Sequence, residues 1–119
     1  MTTPAAYQAW IDAAAAANGI RPPLLAGLLE HESGWNPNAI GDGGLAKGLG
    51  QMHAPAAAEV GADWNVLDDP QVAISATAAY LGKYYKKYGD ERTALMCYNQ
   101  GPTVIGRATA YADAVLALA

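Results

Sequence analysis

His31-Glu32 begins the HExxH pattern that holds zinc on a helix, but the residue at the fourth place on is Trp35 and the only other histidine is His53. Two histidines one helical turn apart are lacking, so no metal is expected. The string Gly41 to Ala46 fits GxGxxA, the glycine pattern that cradles a dinucleotide phosphate. No strand is predicted before it and no βαβ unit surrounds it, so its glycines read as turn formers and no organic cofactor is expected. Ser33 and Ser75 lack the GxSxG elbow, and two histidines in unrelated segments do not make a triad. Cys97 is a lone thiol inside an apolar helix, which reads as core rather than nucleophile.

Glu32 is different. Spacing of four places it on the same helical face as Leu24 and Leu28, the face that packs inward. Burial disfavours a carboxylate, and the negative end of the helix dipole disfavours it further, so both effects raise its pKa, as a general acid requires. A buried carboxyl satisfied by backbone donors fits the position equally well. At about 100° per residue Glu30 lies roughly 200° away, on the solvent side, so the two glutamates form no dyad.

The elements that position Glu32 are legible from their ends. Thr3-Pro4 opens a first helix, as cap and first position, and Asn18-Gly19 closes it. Pro22-Pro23 starts a second that runs to Gly34. Trp35 to Lys47, with Asn36-Pro37 and GDGG, is an irregular loop with room for a small β-like turn. A short helix is expected near Gly48 to Val60, and the longest begins at Asp69-Pro70 and ends at Gly89. Glu91 to Tyr98 makes another, stopped by Gly101-Pro102, and Val104 to Leu118 makes the last. No strand alternation is found, so the fold class is mainly α.

Composition sets outer limits. At 119 residues, 52% hydrophobic and 15% charged, one domain over residues 1–119 with a real core is expected, and a disordered chain is excluded. No apolar run approaches twenty residues, so no membrane span is expected. Seven basic against eleven acidic residues give a net charge of −4, which excludes the positive field of a nucleic-acid binder. One cysteine forbids an internal disulfide. The start MTTPAAYQAW lacks the basic region of a secretory signal.

The stretch from Glu32 to Met52, ESGWNPNAIGDGGLAKGLGQM, resembles the signature of the soluble lytic transglycosylases, part of the lysozyme-like superfamily. The matching elements are Glu32-Ser33, Asn36-Pro37-Asn38-Ala39 and Gly48-Leu49-Gly50-Gln51-Met52, followed in order by Ala79-Tyr80-Leu81 and Tyr98-Asn99-Gln100-Gly101-Pro102. Together these span about two thirds of the chain.

The resemblance implies that Glu32 is the catalytic acid and that the Tyr98 hydroxyl approaches its carboxyl, where it can donate or accept. It makes Gln51 a groove residue for an amino sugar, or else a tie between loop and helix, and puts Met52 on the groove floor or in the core. Asn99 orients the Tyr98 segment or caps a turn. Trp35 offers a flat face to a sugar ring, against the alternative of a core plug. The chain also departs from the family. Where a substrate-contacting serine is often found it has Ile40-Gly41-Asp42, with one extra residue before Gln51, and Gly50 stands where a bulky residue is usual, which would widen the groove or loosen its wall. Asp42 is either an Asp-Gly turn residue or a second carboxylate able to activate water.

The implied activity is cleavage of the β-1,4 bond between N-acetylmuramic acid and N-acetylglucosamine, leaving a 1,6-anhydro ring, with peptidoglycan strands as partner and the protein a monomer. Peptidoglycan is anionic, so binding must come from short-range contacts in a groove. The alternatives are a muramidase using water, similar to goose-type lysozymes, and a catalytically silent glycan-binding module of a virion or secretion apparatus. Small size, no signal and no added wall-binding domain suggest a phage endolysin or virion-borne lysin that reaches the cell wall by a route other than secretion.

Overall fold

A computed structural model of the chain describes residues 3–101 and 108–119. Its helices are α1 (Ala5–Ala17), α2 (Pro22–Ser33), α3 (Ala54–Glu59), α4 (Pro70–Tyr88), α5 (Glu91–Gln100) and α6 (Thr109–Leu118). Two-residue strands β1 (Ile40–Gly41) and β2 (Ala46–Lys47) pair antiparallel between α2 and α3, with Ile40 opposite Lys47 and Gly41 opposite Ala46. The mainly α fold is as the sequence implied, and this hairpin is the β-like turn within the glycine-rich loop. Among the described residues no helix is long and apolar enough to cross a membrane.

Local chemistry sets the helix ends. The Asp69 carboxylate accepts from the Gln71 and Val72 backbone amides, and Asp90 accepts from Thr93, so α4 and α5 start at side-chain caps. Both α2 and α4 finish at a glycine in the left-handed region, Gly34 and Gly89. Four helices differ from expectation in their bounds, and α5 runs on to Gln100 rather than stopping at Tyr98. Pro4 precedes α1 rather than opening it, with ψ of 133°. The short helix starts at Ala54, not Gly48, because Gly48 (φ 82°) and Gln51 (φ 50°) are left-handed and Met52 pairs with Lys47 as an extended bridge. The last helix starts at Thr109 after a left-handed Ala108; the expected positions 104–107 lie outside the described residues.

The core is built around α4, whose Ala73, Ile74, Ala78 and Leu81 are buried against α1 and α5. Leu24, Leu25, Leu28 and Leu29 of α2 are fully enclosed, as are Ile11 of α1 and Val115 of α6. Burial of such a side chain stabilises by about 1.5–3 kcal/mol. Cys97 is buried among them, and burial pushes its thiol pKa up, as suits an inert core residue.

The contact between α2 and α6 matters most for the site. Gly27 is a poor helix former, but a Cβ there would lie 3.0 Å from the Val115 carbonyl and 3.1 Å from the Ala119 amide. Its bare Cα lets α6 close directly onto α2. The helices run antiparallel, so moving forward from Gly27 along α2 moves back from Val115 along α6, and Glu32 comes opposite Tyr111.

Candidate active site

A cleft of about 490 Å³ opens beside the C-terminal end of α2. Glu32 lies in its wall together with Asp42, Gln51, Met52, Tyr98 and Asn99, and with His53 and Tyr80. Six elements thus deliver side chains to one cavity: α2, the hairpin turn, the segment before α3, α3 itself, α4 and α5.

Glu32 is partly buried, and burial is the main reason its pKa rises from an ordinary 4.5 to about 7. The Tyr111 hydroxyl donates to its Oε2 at 2.7 Å and works against that rise, as does the nearby His53; the Asp42 carboxylate adds to it. Tyr111 is itself held edge-on against the His31 ring, with centroids 5.1 Å apart. Burial, and then the charge of Glu32, push the Tyr111 pKa well up, so the phenol keeps its proton and remains a donor. One carboxyl oxygen is thereby fixed by Tyr111.

The tyrosine on Glu32 is therefore Tyr111, not Tyr98. Tyr98 is buried, and its hydroxyl donates to the Gly50 carbonyl at 2.7 Å. Its ring stacks edge-on against Tyr80 at 5.5 Å, and Tyr80 in turn meets Tyr84, hydroxyl to hydroxyl at 3.2 Å. Gly50 explains the arrangement. A Cβ there would collide with the Thr77 hydroxyl and stand 2.8 Å from the Tyr98 hydroxyl, so the missing side chain makes room for those two groups. The space that a side chain at Gly50 would take is filled from the core side by these two hydroxyls.

Tyr98→Phe and Tyr111→Phe should accordingly part company. The first leaves a buried carbonyl without its donor and is expected to cost about 1–3 kcal/mol of stability. The second removes the hydroxyl that orients the acid, and should lower turnover about tenfold or more with a smaller change in melting temperature. Thermal melts and initial rates on both variants check this; equal rate losses in the two would show that the hydroxyl on Glu32 has no special part.

The Gln51 amide donates to the Ala39 and Gly48 carbonyls at 3.0 and 2.9 Å, so its nitrogen ties the loop together. Two carbonyl acceptors fix the amide's orientation, leaving Oε1 against the bare Cα of Gly41. Met52 is almost wholly buried yet lines the cleft, so it belongs to both core and floor. Its carbonyl accepts from the Trp64 indole at 3.0 Å. Asn99 is exposed on the rim and is joined to the Gln100 amide. Asp42 has a φ of 50° at the hairpin turn, yet its side chain does not bond the backbone there; Oδ2 meets His53 Nε2 at 2.8 Å. Trp35 is outside the cleft, its indole donating to Glu30 at 3.3 Å and its ring 6.3 Å from Tyr7, which is the packing alternative.

Two residues of this arrangement were not assigned parts by sequence reasoning. Tyr111 stands four before Val115 on the inward face of α6, and that spacing was the signal available for it. His53 is eleven residues from Asp42, and no local periodicity joins them.

A family model for the transglycosylase SLT domain matches residues 9–117. A transglycosylase of Enterobacteria phage PRD1 is 38% identical over 98 residues, covering 81% of this chain and 36% of the phage protein. An inactive mutant of the lytic transglycosylase Slt from Pseudomonas aeruginosa superposes with a TM-score of 0.74 at 25% identity, over 87% of this chain and 18% of that one. The 70 kDa soluble lytic transglycosylase of Escherichia coli gives a TM-score of 0.76 at 24% identity, over 96% and 19%. The chain thus spans about a third of the phage relative (36%) and under a fifth of the two bacterial proteins (18% and 19%). With nearly its whole length accounted for by one family model, the chain belongs to the transglycosylase SLT domain family.

Proposed function

We propose that this chain is a peptidoglycan lytic transglycosylase that cleaves the β-1,4 bond between N-acetylmuramic acid and N-acetylglucosamine and closes a 1,6-anhydro ring on the muramic acid. The observation that carries this reading is Glu32 in the cleft wall, its pKa raised to about 7 and one oxygen held by Tyr111. A carboxyl in that range keeps its proton in a large fraction of molecules at neutral pH and can give it to the leaving glycosidic oxygen. The resulting carboxylate then takes the proton of the muramic acid C6 hydroxyl as that oxygen attacks C1. One carboxyl serves both steps, and neither metal nor organic cofactor enters.

Gln51, Met52, Asn99, Tyr98 and Asp42 are proposed as the walls that seat the sugars. The phage transglycosylase, 38% identical, supports a phage origin as an endolysin or virion-borne lysin acting on the host wall. The muramidase alternative keeps one observation in its favour, since Asp42 lines the same cleft as Glu32. Incubation with purified sacculi tests the enzymatic reading against a silent binder. Falling turbidity and soluble muropeptides are expected; protein that pellets with intact sacculi and releases nothing would leave only glycan binding.

A further inference from the structure

The cleft carries a histidine–aspartate hydrogen bond that the proposed chemistry does not use. His53 Nε2 and Asp42 Oδ2 are 2.8 Å apart on the rim, with side chains 45% and 69% exposed, in the cavity that holds Glu32. Exposed pairs contribute little stability, so the fold gains little from this one. Its two halves come from different segments, and both are fixed. Lys47 and Met52 exchange backbone hydrogen bonds of 3.1 and 3.2 Å, which clamps the hairpin carrying Asp42 to the segment carrying His53. The Gln51 amide ties the same loop through Ala39 and Gly48. His53 occupies the cap position of α3 without bonding that helix through its side chain, so its imidazole is left for Asp42.

We propose that Asp42 and His53 act together as a positioning unit for the catalytic proton, the aspartate holding it on Glu32 and the histidine limiting that hold. The other titratable groups around Glu32 are Tyr111 from α6 and Tyr98 from α5, with Tyr80 of α4 further along the cleft wall. Burial drives all three phenols up, so they stay neutral while the acid titrates. On α2 itself, Glu30 takes the Trp35 indole and His31 packs on Tyr111. The pair on the rim brings a carboxylate and an imidazole into the same cavity as Glu32. A negative Asp42 opposes ionisation of Glu32, and a positive His53 favours it.

This inference rests on Glu32 being the acid, so its test reads the carboxyl directly. Carbon-13 spectra of labelled protein, with the Glu32 signal assigned by its loss in Glu32→Gln, follow its titration in the parent, Asp42→Asn and His53→Gln. The midpoint should fall in Asp42→Asn and rise in His53→Gln, each by about half a pH unit. The high-pH limb of kcat/KM should move with it, down and up respectively. Both substitutions are nearly isosteric at exposed positions, and melting curves check that the fold is kept. A Glu32 midpoint unchanged in Asp42→Asn, or one that fails to rise in His53→Gln, overturns the proposal. Opposite shifts in a protein that releases no muropeptides would instead sink the enzymatic reading and leave the pair's effect on Glu32 standing.

Discussion

Glu32→Gln should lose lytic activity by roughly 10²–10⁴-fold while becoming more stable at and above neutral pH. The rate loss follows from the amide, which has nearly the shape of the carboxyl but cannot give up a proton to the leaving oxygen; it corresponds to about 3–5 kcal/mol of barrier. The stability gain follows from the same burial that makes the acid useful. Its folded pKa, about 7, lies above the ordinary 4.5, so the protonated form is favoured by folding. That contribution is fully present below pH 4.5 and is lost as pH rises through 7, where the fold must hold a poorly solvated anion. Glutamine carries no such penalty, and the gain, discounted for partial exposure, is on the order of 2 kcal/mol. Turbidity assays and melts at pH 5 and pH 8 check both parts. The melting advantage should appear at pH 8 and shrink at pH 5. Activity of the parent should fall as pH rises through about 7, since the acid must be protonated to work. Glu30→Gln is the matching control, because that glutamate faces Trp35 outside the cleft, and it should change activity little. A folded Glu32→Gln protein that clears sacculi at the parent rate would remove Glu32 from the chemistry.

What could be read in advance followed the range of the interaction. Helix ends depend on a few adjacent residues, so Asp69-Pro70 and Gly89 gave the bounds of α4 as found. The burial of Glu32 was legible because Leu24 and Leu28 share its face within one helix. Its hydroxyl partner was not, because Glu32 and Tyr111 are 79 residues apart and meet only where Gly27 lets α6 close on α2. Resemblance places Tyr98 there, and it does reach the cleft, but its hydroxyl donates to the Gly50 carbonyl instead. The Asp42 turn was foreseen through its left-handed geometry, whereas its bond to His53 depends on the Lys47–Met52 bridge, which has no local signature.

Digests of peptidoglycan should yield muropeptides one water lighter than hydrolysis products, with no new reducing ends. An anhydro product requires the C6 hydroxyl to reach C1 before water does, and holding the sugar in place makes that attack effectively intramolecular. A second carboxylate is then unnecessary. Hydrolysis would need one, and Asp42 is the candidate because it lines the cleft. Its Oδ2 is engaged by His53 at 2.8 Å, however, and its side chain is 69% exposed, so it is poorly isolated for drawing a proton from a single bound water. Glu32, in contrast, has burial, a fixed hydroxyl partner and a pKa of about 7, which suit it to give a proton and take one back within a turnover. Asp42→Asn should therefore leave the product mass unchanged and alter the rate mildly below pH 6, where Glu32 stays protonated in either protein. Reducing muramic acid in the parent digest, with its release abolished in Asp42→Asn, would make this member of the family a muramidase with the turn aspartate in its catalytic site.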